Sequence, residues 1–128
     1  MCNISCNECP RKIFSESVTL VTVDGTDTLV IGIPEQTFSN CQRGCLVIVQ
    51  SIPATTPITA PVAIQIGADT VYYPVVNRCG VDVTATQLRT RRRYPFRVST
   101  NATSGVFRIL DNLSCTPNIN LATIPTGG

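Results

Sequence analysis

The most reactive side chain in this sequence is cysteine, present seven times in 128 residues that include no histidine. Cys2, Cys6 and Cys9 crowd the first nine residues, Cys41 and Cys45 follow with three residues between them, and Cys79 and Cys115 stand alone. A nucleophilic thiolate needs a neighbouring base or cation, most often histidine, to hold its charge and move its proton. With no histidine to recruit, the set points to assembly chemistry. As crosslinks, the thiols would tie the N-terminal segment to its own domain or to a neighbour, and the odd count leaves one over or paired to another chain. As metal ligands, Cys2, Cys6 and Cys9 with one further cysteine could complete a four-thiolate zinc site, although only Cys6-x2-Cys9 has the usual short spacing. As packing residues, Cys79 and Cys115 would be small buried hydrophobes. The crosslink or metal candidates are therefore Cys2, Cys6, Cys9, Cys41 and Cys45. No cofactor is expected apart from the zinc alternative.

The second chemical feature is the run Arg89-Thr90-Arg91-Arg92-Arg93-Tyr94-Pro95-Phe96-Arg97. In an extended strand Arg89, Arg91 and Arg93 would project from one side about 7 Å apart. Such a row could meet phosphates, with Tyr94 and Phe96 as stacking surfaces. It could also pair with carboxylates of an adjoining subunit, or serve as a charged edge that discourages unwanted strand pairing. Nine of the ten basic residues are arginine and Lys12 is the only lysine. Arginine suits planar pairing at interfaces, and no second basic stretch accompanies the run. Subunit contact is therefore preferred to nucleic acid as the role of Arg89, Arg91, Arg92, Arg93, Tyr94 and Arg97.

The eight acidic residues are scattered, and the closest pair, Asp24 and Asp27, falls at a turn. There is no nucleophile elbow, phosphate-cradling glycine loop or histidine-carboxylate set. The expected protein is not an enzyme. A net charge of +2 with 14% charged residues implies no general field for nucleic acid. The first residues lack the charged and apolar regions of a secretory leader, and the longest apolar run, 46–49, is too short to cross a bilayer. A protein without membrane contact, made in a cytoplasm, is the expectation.

The elements that must hold these residues read as strands. Val, Ile and Thr alternate with period two, and helical spacing is hard to find. The stretch 17–23, the Asp24-Gly25 turn and 28–33 predict a hairpin. Residues 46–50 predict a short buried strand, and the prolines of 52–61 an extended connection. Residues 62–66 and 70–76 predict a second hairpin with Pro74 favouring an edge, 81–83 a further short strand, and 96–100 with 106–110 a third hairpin. The fold class is all-β: a β-sandwich or jelly roll of about seven or eight short antiparallel strands with extended terminal arms. The expected division is a Cys-rich arm at 1–15, a β-domain at 16–113 and an irregular arm at 114–128.

The stretches SIPATTPITAPVAIQIG, VYYPVVNRCG and VSTNATSGVFRIL resemble small β-rich structural proteins of Firmicutes tailed phages, of the head decoration or auxiliary type. That resemblance implies a virion component bound on a capsid lattice. In layout, a Cys-bearing arm ahead of a β-domain is also similar to Bacillus endospore appendage subunits, in which arm cysteines bond to neighbours. The leading expectation is a structural protein that associates with itself or with a capsid or surface lattice as a homo-oligomer. The alternatives are a disulfide-crosslinked spore-surface or fibre subunit, and a small module that binds nucleic acid or another anionic polymer.

Overall fold

A computed structural model describes residues 12–100 and 104–110, which form eight β-strands, one 3-10 turn and no α-helix. The strands are β1 (Lys12–Phe14), β2 (Ser17–Val23), β3 (Thr26–Ile33), β4 (Arg43–Val47), β5 (Val62–Ile66), β6 (Tyr72–Val76), β7 (Arg93–Thr100) and β8 (Gly105–Ile109). They make one sheet in the order β1-β4-β7-β8-β6-β5-β3-β2, curled into a half-barrel. The all-β expectation and the strand number hold. The strands do not divide into two packed antiparallel sheets: β1·β4, β3·β5 and β6·β8 are parallel. The corrected pairs join strands far apart in sequence, where no turn chemistry dictates direction.

All three expected hairpins form. In the first, Asp24 (φ 51°) and Gly25 (φ 80°) both lie in the left-handed region, the requirement of the two-residue turn whose twist suits a hairpin. β5 and β6 pair antiparallel, as do β7 and β8. The expected strand at 46–50 is shifted to Arg43–Val47, and 81–83 supplies only a bridge between Asp82 and Val76. Pro74 does not sit on an edge strand. β6 pairs with β5 through 72–74 and with β8 through 75–76, so the proline stands where the strand changes partner and a missing N–H costs little.

Alternate residues of all eight strands point into the concavity and build the core, among them Ile13, Val18, Leu29, Ile31, Leu46, Ile64, Val75, Tyr94, Phe96, Val98, Phe107 and Ile109. Phe107 anchors an aromatic cluster, with Phe38 at 5.2 Å, Phe96 at 5.4 Å and Tyr73 at 6.3 Å between ring centroids, all edge-on. β3 is buried on both faces from Thr28 to Ile33, as its near-continuous apolar sequence requires.

Among the described residues the sheet begins at Lys12, within the segment expected to be an arm. Its two outermost strands, β1 and β2, are consecutive in sequence and separated only by Ser15 and Glu16. Ser15 N–H donates to Val47 O of β4 at 2.9 Å, and Glu16 N–H to Gly32 O of β3 at 2.7 Å. Gly32 also stands opposite Ser17, so two residues face one, a bulge that bends the chain from one half of the sheet to the other. Ser15 is buried at this corner, where its hydroxyl donates to Gln50 Oε1 and accepts from Val49 N–H at 2.8 Å. Gln50 Nε2 donates back to the Ser15 carbonyl at 3.0 Å.

Candidate functional site

The extended row of Arg89, Arg91 and Arg93 does not form. β7 starts only at Arg93, and Arg91 has φ 71°, so the chain turns before the strand begins. This turn is fastened by backbone groups: Arg89 N–H donates to Tyr94 Oη at 2.7 Å, and Arg91 N–H to Ile48 O at 2.6 Å. Tyr94 is no stacking surface. It is fully buried, with Arg92 reaching over its ring at 5.8 Å from the centroid. Phe96 is likewise core.

What the sheet does assemble is a different set of arginines. Tyr94, Phe96 and Val98 face the core, so Arg93 and Arg97 face outward on β7. The register then places Arg43 of β4 opposite Arg97, and Arg97 opposite Arg108 of β8. Three arginines from three neighbouring strands thus stand in one row across the sheet. Directly opposite residues have Cβ atoms about 5 Å apart, and like charges so placed destabilise a sheet. Unit charges 4 Å apart repel by about 1 kcal/mol in water and about 4 kcal/mol at an effective dielectric constant of 20.

The three side chains are half-buried, and the Nε atoms of Arg97 and Arg108 are shielded from solvent with no acceptor. Arg108 is nonetheless oriented. Its Nη1 donates to the carbonyls of Asn77 at 3.3 Å and Arg78 at 3.1 Å. Asn77 builds that turn: almost fully buried, it accepts N–H bonds from Cys79 at 2.8 Å and Val81 at 3.0 Å through Oδ1. Sequence reading found Arg93 and Arg97 but missed Arg43 and Arg108, which are isolated basic residues until the register is known.

Cys45 faces outward one step along β4 from Arg43, opposite Pro95, and is fully buried. Cys79 is exposed in the turn after Asn77, so the reading of it as a packing residue is corrected. Cys41 takes φ 69° in the loop before β4. Cys41, Cys45 and Cys79 all have partners, and none is a free thiol. Cys2, Cys6, Cys9 and Cys115 lie outside the described residues, and the zinc alternative with them. The described residues contain no group of three potential metal ligands, and none of their helices is long and apolar enough to cross a membrane.

Two further surfaces lie among the described residues. An open groove of about 790 Å³ lies between 35–38, the β5–β6 hairpin and the ends of β7 and β8, bordered by Glu35, Phe38, Asp69, Val71 and Tyr73. The other surface is the outer edge of β2. Because Val23 and Thr26 close a two-residue turn, the ladder to β3 uses Ser17, Thr19, Val21 and Val23. Leu29 N–H and Ile33 O face away from β2, donating to Pro61 O and accepting from Gly67 N–H, which fixes the same alternation from the other side. Val18, Leu20 and Thr22 therefore turn their N–H and C=O groups to an edge that has no second strand among the described residues.

No protein-family model matches the chain, and no curated protein or solved structure matches it.

Proposed function

We propose that this chain is a non-enzymatic structural protein that assembles with further copies of itself by pairing β2 edges, within a larger particle. The observation that carries the reading is the composition of that edge. Proteins ordinarily blunt a free edge strand with charge, proline or shortness. β2 has seven residues, SVTLVTV, with no charge and no proline. Antiparallel pairing about a two-fold axis through Leu20 sets Leu20 against Leu20 and Val18 against Thr22, matching every outward N–H to a C=O. A two-fold contact places each residue near its own copy, so any charge at its centre would meet itself, and this strand has none. The resemblance of the central stretches to tailed-phage structural proteins supports a virion, as a capsid decoration or auxiliary protein, as the particle concerned.

Mass photometry of the full chain tests the reading. Even-numbered oligomers are expected, with at least a tenfold weaker association in Leu20→Pro, whose missing N–H faces the edge and leaves the ladder to β3 intact. Thr19→Lys, exposed and outside the core, is the second variant, and it weakens association by setting like charges near the axis. A strict monomer that also fails to bind assembled capsids, or oligomers indifferent to both substitutions, would overturn it.

The disulfide-linked fibre or spore-surface subunit remains the second reading, supported by the layout of a Cys-bearing arm with Cys2, Cys6 and Cys9 ahead of a β-domain. A ladder on non-reducing gels that collapses on reduction favours this reading; monomer in both lanes removes it.

A further inference from the structure

We propose that the outer face of β4, β7 and β8 binds a phosphate-type oxyanion between Arg43, Arg97 and Arg108. The register sets the three arginines in one row on adjacent strands; Arg43 has a partner of its own, whereas Arg97 stands directly against Arg108, a like-charge pair that is unfavourable unless something negative lies on it. The Nε–H groups of Arg97 and Arg108 are closed to water and without an acceptor, a deficit that folded proteins rarely leave standing. Arg108 is already clamped through Nη1 by the carbonyls of Asn77 and Arg78. Its orientation is therefore set before any ligand arrives.

A ligand that corrects both the charge and the missing acceptors must be anionic and must offer oxygens in several directions. A phosphate group has three or more acceptor oxygens and up to two negative charges, and the planar fork of arginine suits it. A single carboxylate, with two oxygens and one charge, leaves part of the row unmatched. Arg93 lies on the same face four residues before Arg97, about 13 Å along the strand, so a chain bearing several phosphates would find a fourth cation. The shared chemistry has two sources: free phosphate, or the phosphodiester backbone of a nucleic acid.

Side-chain Nε–Hε resonances of the ¹⁵N-labelled full chain read the site directly. At constant ionic strength, inorganic phosphate should shift the Arg97 and Arg108 signals saturably, and chloride or acetate should not. Arg97→Gln should weaken phosphate at least tenfold, as should Arg97→Lys, which keeps the charge and removes the Nε donor. Arg89→Gln, outside the row, should leave binding unchanged. A short single-stranded oligothymidylate that binds at least tenfold tighter than phosphate, with the same dependence on Arg97, identifies the backbone as the source; equal or weaker binding identifies the free anion. The proposal is overturned if neither phosphate nor oligothymidylate gives a saturable shift, if acetate matches phosphate, or if both Arg97 variants bind like the parent.

Discussion

Ser15 carries more of this structure than its size suggests. Its hydroxyl is both donor and acceptor in a buried corner, bonded to Gln50 Oε1 and Val49 N–H. Ser15→Ala leaves the Val49 N–H and Gln50 Oε1 without this partner in a partly buried corner, a loss of about 1 kcal/mol. Urea denaturation should show that loss as a lower midpoint with an unchanged slope, and Ser15→Thr should recover part of it by keeping the hydroxyl. Neither Ser15 nor Gln50 is conspicuous in the sequence, because the pair is separated by 35 positions. Arg97 and Arg108 make the same point for the candidate site. Arg97 belongs to a visible basic run, whereas Arg108 becomes its neighbour only through the pairing of β7 with β8. The run also misleads: Tyr94 reads as an aromatic among arginines, yet it alternates into the core with Phe96 and Val98.

Among elements, the hairpins were legible because their signals are local. Asp24-Gly25 names its own turn, and both residues adopt the positive φ that the turn demands. A Cβ on Gly25 would meet nothing within 4 Å, so the cost of Gly25→Ala is confined to the backbone, about 1–2 kcal/mol. Thermal unfolding should show this decrease, and Asp24→Asn should leave stability unchanged or slightly raised, since asparagine tolerates the left-handed region well. The parallel pairs were not legible. β3 and β5 are separated by a loop, by β4 and by the proline-rich stretch, and nothing in either strand states which partner it will meet. Pro74 shows how a sound rule led to a wrong position: proline avoids a ladder that needs its N–H, and the change of partner in β6 provides such a place inside a sheet as well as at its edge.

At the scale of the whole molecule, protection should follow the order of the sheet. β3 is covered on both faces and bonded on both sides, so its Leu29 and Ile31 amides should exchange most slowly with deuterium. Val18, Leu20 and Thr22 should exchange fast in the dilute monomer and slow sharply once copies associate, because their N–H groups are the ones directed to the free edge. Slow exchange at these three positions in a verified monomer would show the edge to be already occupied.

The bend at Ser15 and Glu16 has a mechanical side. Any segment that anchors the protein through residues preceding Lys12 delivers its pull to β1, which lies along β4 in parallel register. Tension along β1 loads that short ladder in shear. It then passes through two residues to β2, whose partners lie in the opposite half of the sheet. A tether at this end therefore grips both rims of the half-barrel at once, and drawing on it tends to tighten the curl before any single strand can peel away.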